Sequence, residues 1–152
     1  MSHGETGSRG GPPSRRANLD FAAVDLQHGF APRDGGVAGI TEKILVSDFE
    51  PARRTGSRTR LLRLAPGTRT PEAHAHDYWE ELYLLEGEMT VGDGRGGERL
   101  VRAPAYACRE PGFMHGPVRT DAGCLLLEIS SYPRSEPANP REAAAPAAAS
   151  RG

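Results

Sequence analysis

The chain has 152 residues, enough for one domain, and carries a formal net charge of −1. One lysine (Lys43) and eighteen arginines are scattered along it without the positive stripe that phosphate tracking needs, so no nucleic-acid partner is expected. No apolar run approaches the ~18–20 residues that cross a membrane as a helix, so no membrane partner is expected either.

Hydrophobic residues make up only 37%, and the deficit lies at the two ends. Residues 1–16 (MSHGETGSRGGPPSRR) are mostly Gly, Ser, Pro and Arg, without periodicity. Residues 133–152 are mostly Pro, Ala and charge. Neither stretch can bury enough apolar surface to offset its ordering entropy, so both are predicted to be disordered tails. A domain over residues 17–132 remains.

That domain opens with LDFAAVDLQ (19–27), whose spacing admits a short helix. The rest reads as short strands: 39–49 (GITEKILVSDF), 58–67 (RTRLLRLAPG), 80–94 (EELYLLEGEMTVGDG), 98–103, 105–110 and 123–132. Gly or Pro punctuates them every ~8–12 residues, the pattern of an all-β sandwich or barrel. Cys108 and Cys124 are not at C-x-x-C spacing, and the N-terminus lacks the apolar stretch of a secretory signal. Reduced thiols, each packed in the interior of a cytoplasmic protein, are the expectation.

The chemistry concentrates in PEAHAHDYWEELYLLEG (71–87). His74 and His76 are two residues apart, so they share a face on a strand and diverge on a helix. With Glu80 on the inner face, Leu82 and Leu84 join it there. Glu81 then shares the outer face with Tyr83 and Leu85. Either glutamate can be the ligand on this evidence, with Glu80 favoured. Two imidazoles and a carboxylate match a facial set for a divalent first-row metal. A third histidine should come from a later strand. His115, in EPGFMHGP (110–117), is the only histidine after His76. His3 lies in the N-terminal tail, and His28 is expected on a surface loop.

Together these residues resemble the cupin superfamily. The first cupin motif reads here as Gly67, six residues, His74-Ala75-His76, three residues, Glu80, six residues, Gly87. The last gap assigns Glu80 over Glu81. The second motif reads as Gly112-Phe113-Met114-His115. Its proline sits one place late at Pro111, Arg119 stands at its asparagine position, and Ala103-Pro104 replaces its opening Gly-Asp. The resemblance covers roughly residues 55–130.

The resemblance implies a single-domain jelly-roll β-barrel holding one divalent metal through His74, His76, Glu80 and His115. Fe(II) is the favoured ion, and zinc, manganese or nickel also suit these donors. Small cupins commonly pair through their barrel edges, so a homodimer is implied. The foremost functional expectation is a non-haem iron oxygenase, dioxygenase-like, acting on a small oxygenated organic substrate. The alternatives are a lyase, isomerase or cyclase using the metal as a Lewis acid, and a non-catalytic zinc-holding sensor. Tyr78, Glu81 and Tyr106 are the candidates for moving protons, and Arg109 lies on the strand leading to His115. Phe113 and Met114 are expected beside the metal, with Tyr78 and Trp79 packing the barrel mouth. Arg60 and Arg63 lie on opposite faces of one strand, so one of them can point inward. Cys108 is a further candidate for the cavity wall.

Overall fold

The computed structural model describes residues 18–133. The predicted tails lie outside the described residues, apart from Pro133. The described residues contain no α-helix. Eight strands follow in order: β1 (Ala31–Pro32), β2 (Ile40–Ser47), β3 (Ser57–Leu64), β4 (Trp79–Gly92), β5 (Glu98–Arg102), β6 (Ala105–Arg109), β7 (Val118–Arg119) and β8 (Cys124–Ser131). Every pairing is antiparallel, in the order β1-β2-β3-β8-β4-β5, with β6 and β7 also on β4. The strands form an all-β jelly roll, all-β as the turn spacing predicted and a jelly roll as the cupin resemblance implied.

Strand β4 links the two sheets. Its first half lies between β8 and β6, and its second half between β5 and β7. A bulge between Leu84 and Glu86 separates the halves. The extra residue inverts the alternation: Glu80, Leu82 and Leu84 are buried before it, Met89 and Val91 after it. Without it, Met89 and Val91 would face solvent. Gly87 follows the bulge at φ +81°, where an added Cβ would lie 2.3 Å from the Gly123 carbonyl oxygen. Only glycine fits there.

The register stacks the inward side chains in rows. The first row holds Arg58, Ser130, Glu80 and Arg109; the second holds Arg60, Glu128, Leu82 and Ala107; the third holds Leu62, Leu126, Leu84 and Ala105. The interior therefore grades from charged to apolar along the strands. Leu62, Leu64, Leu84 and Leu126 anchor the apolar end. Each such leucine contributes about 1.5–3 kcal/mol by leaving water.

The helix anticipated at 19–27 does not form. Leu19, Phe21 and Val24 are exposed, so an apolar helical face would have nothing to cover. The Asp25 carboxylate instead accepts the backbone N–H groups of Gln27 and His28, at 2.8 and 3.1 Å, which fixes a turn. The segment that follows is strapped to β2 and β3. Lys43 Nζ donates to the Asp25 and His28 carbonyls at 2.6 and 2.8 Å. Arg63 donates to the Leu26 carbonyl, and both cations lie over the Phe30 ring. Cys124 is buried, but Cys108 is exposed, against the expectation that both would pack inside. Cys108 pairs with Glu81, and the alternation of β6 turns it outward.

Candidate metal centre

The loop from β3 to β4 carries His74 and His76, and the loop from β6 to β7 carries His115. Backbone hydrogen bonds lock the two loops together. The His74 N–H donates to the His115 carbonyl at 2.8 Å, and the His115 N–H returns the bond to His74 at 2.9 Å. The Gly112 N–H donates to the His76 carbonyl at 2.7 Å. Short polar segments thus obtain strand-like geometry without belonging to a long strand, and the i, i+2 histidines project together.

One ring nitrogen from each of His74, His76 and His115 lies within 4.8 Å of the other two. Donors about 2.0–2.1 Å from one ion are ~3.0–3.4 Å apart in facial octahedral or tetrahedral geometry, so the widest of these separations closes by about 1–2 Å when an ion binds. Glu80 lies beside this three-histidine group: Oε1 is 3.5 Å from His76 Nε2, and Oε2 is 3.6 Å from His115 Nε2. His115 Nδ1 lies 3.1 Å from the Phe113 carbonyl. A carbonyl only accepts, so Nδ1 carries the hydrogen and Nε2 keeps its lone pair for a metal. Burial pushes the pKa of His74 and of His115 down, with His76 adding to the effect at His74 and Arg109 at His115. Both rings are therefore held in the neutral form that can bind an ion. The donor set fits a divalent metal.

Arg109, on β6 opposite Glu80, donates to Glu80 Oε2 at 2.6 Å. Burial alone would raise the Glu80 pKa, but the hydrogen bond from His76 and the Arg109 charge outweigh it and set it at about 2. The carboxylate is ionised throughout the neutral range. Tyr78 stacks on the His76 ring, with centroids 4.6 Å apart and planes within 13°. Phe49 and Tyr132 brace Tyr78 edge-on at 5.0 and 5.6 Å. Burial, reinforced by Glu128 and Glu80, pushes the Tyr78 phenol up to about 12. It is a proton-bearing group here, not a base.

The histidines open onto a cavity of about 420 Å³. Of Arg60 and Arg63 on β3, Arg60 is the inward one, and it lines this cavity beside Glu128. It is 2.7 Å from Glu128 Oε1 and 2.5 Å from Glu42 Oε2. Arg63, on the opposite face, holds the strap.

The structure does not bring every anticipated residue to the site. Glu81 and Tyr106 lie on the outer face, where the Tyr106 hydroxyl donates to Glu81 Oε2 at 2.6 Å, so neither can serve the cavity. That hydrogen bond pushes the Tyr106 phenol up to about 12. Phe113 and Met114 are exposed, because the Pro111-Gly112 turn points them to solvent and only His115 inward. Trp79 is exposed on the outer face, while Tyr78 is at the cavity. Cys108 does not line the cavity. His28 is exposed and paired with Asp25 at 3.0 Å. Glu128 was not anticipated. Its signal was the alternation of CLLLEISSY, where Cys124, Leu126, Glu128 and Ser130 share one face.

Comparison with known proteins agrees with this architecture. A model for the ChrR cupin-like domain family matches residues 34–130. No curated protein matches the chain by sequence. Among solved structures, the polyketide cyclase RemF from Streptomyces resistomycificus superposes with a TM-score of 0.59 and 18% identity, covering 77% of this chain and 82% of that one. An acetylacetone dioxygenase from Acinetobacter johnsonii gives 0.56 and 20%, covering 77% of each chain. An RmlC-like cupin from Shewanella frigidimarina gives 0.54 and 20%, covering 78% of this chain and 96% of that one. At such identities the likeness is one of fold.

Proposed function

The chain belongs to the ChrR cupin-like family, and from its histidine cluster and cavity we propose a metal-dependent oxygenase acting on a small oxygenated organic molecule. His74, His76, His115 and Glu80 would hold one divalent ion, which we assign as Fe(II). Such an ion, when bound, supplies a site where an organic oxygen and O2 can meet. The observation that carries this reading is the opening of the histidine cluster onto a cavity of about 420 Å³. A purely structural ion has no need of such a space.

The protein's own groups divide the remaining work. Arg109 orients Glu80 and keeps it ionised. Tyr78 holds the His76 ring by stacking and presents a protonated phenol to the cavity wall. Glu80 and Glu128 are both tied to arginines, so neither is a free base beside the histidines. The oxygenase reading asks for no further base at this wall, whereas a reaction that shuttles protons through the protein would have to draw on Glu72, which also lines the cavity. The neighbours in fold carry names of different reactions and do not choose between them.

Elemental analysis of anaerobically purified protein, followed by oxygen uptake against diketones, catechols and hydroxy-acids, tests the assignment. One iron per chain with substrate-dependent oxygen uptake supports it. Tightly held zinc with no uptake contradicts it. Pairing of two chains belongs to the same reading. Trp79, Tyr83 and Tyr106 sit exposed on neighbouring strands of the outer face, and light scattering at twice the chain mass would support a dimer.

A further inference from the structure

The cavity beside the histidines has two chemically different ends. Its charged lining balances: Arg33, Arg60 and Arg109 face Glu72, Glu80 and Glu128. A divalent ion on the neutral histidines would leave this wall net positive, which selects an anionic oxygen head. Away from the histidines the register turns apolar, and Ile40, Leu62, Leu64 and Val118 line the same space. The occupant therefore needs an apolar body as well as a polar head.

The floor of this apolar end is thin. Beyond it lies a second space of about 30 Å³, bordered by Leu84, Val91 and Val101 and, toward the outer face, by Arg99 and Tyr106. Leu82, Met89 and Leu126 wall both spaces, and Arg109 also touches both. Leu82 and Leu126 are branched side chains fixed in the interior rows of the sheet. Met89 is the unbranched one, with three rotatable bonds and a soft sulfur that repacks readily. It faces inward only because of the bulge before it.

We propose that the cavity takes an oxygen-rich anion carrying an unbranched apolar tail directed at this floor, and that Met89 sets the longest tail admitted. This rests on the metal reading given above. Truncating Met89 would join the two spaces and lengthen the channel by about three heavy atoms, those removed from the side chain.

The test uses the full chain loaded with zinc and a series of straight-chain alkyl hydroxamates, from acetohydroxamate upward, titrated by calorimetry. The head is constant, so acetohydroxamate reports on the metal alone. Affinity is expected to rise about threefold to fourfold per methylene up to a break. Met89→Ala moves the break to longer tails, by about two methylenes. Met89→Val, a milder change that covers the case where the alanine variant does not fold, moves it by about one. Affinity that stays flat along the series, while acetohydroxamate binds, overturns the tail site and leaves the metal reading standing. A break that stays in place in a folded Met89 variant overturns the role of Met89. Failure of acetohydroxamate to bind, or equal binding after the metal is stripped, overturns the metal reading and the tail site with it.

Discussion

His74 and His115 exchange both backbone hydrogen bonds, at 2.8 and 2.9 Å, although forty residues of chain separate them. The two loops that supply the metal donors are thus held by main-chain contacts that no side-chain substitution removes. The imidazoles can be altered one at a time without dissolving the frame around them.

His115→Ala should therefore fold and lose its metal. Bound metal by elemental analysis should fall from one ion per chain to a small residue, with the thermal transition of the metal-free protein moved only slightly. Full stoichiometry with unchanged affinity in this variant would remove His115 from the ligand set.

Arg109→Gln should weaken metal binding without touching a ligand. The variant loses the 2.6 Å contact to Glu80 and the charge that helps keep it ionised. Partners that orient a metal ligand are typically worth about 10–100-fold in affinity. Zinc affinity by chelator competition is the measurement, and an unchanged value would show that Glu80 orients itself.

Arg60 and Glu128 are each about 3% exposed and 2.7 Å apart on facing strands. Removing one partner of a buried pair leaves the other charge uncompensated. Arg60→Met should cost about 3–5 kcal/mol in urea unfolding. The double change Arg60→Met with Glu128→Leu should recover much of that. A double variant less stable than the single would show that Arg58 and Glu42 depend on the pair.

The metal-free protein should lose stability stepwise in acid. His74 and His115 have folded pKa values below their ordinary 6.5, so the unfolded chain takes up protons first and stability falls as pH drops below about 6.5. Glu80, lowered from 4.5 to about 2, stabilises the fold above pH 4.5, and that contribution is lost as pH falls toward 2. Urea midpoints in the presence of chelator check the sign. A midpoint that rises between pH 7 and pH 5 would contradict it.

What the sequence made legible follows from period. The alternation in EELYLL placed Glu80, Leu82 and Leu84 on one buried face, and the long strands fell within one to three residues of their predicted bounds. Strands β1 and β7 were missed because two residues carry no period. The proton-moving roles of Glu81 and Tyr106 were misjudged because nearness to the motif in sequence says nothing about which face a residue takes. Glu128 was overlooked inside an apolar run, although the same alternation placed it beside Arg60.

The central claim is that His74, His76, His115 and Glu80 hold one divalent ion at the head of the cavity. Diffraction from crystals of the metal-loaded chain, collected at the absorption edge of the bound metal, tests it directly. One anomalous peak per chain is expected within about 2.0–2.2 Å of a nitrogen from each histidine and an oxygen of Glu80. A peak lying elsewhere, or one ligated by fewer than all three histidines, would contradict it.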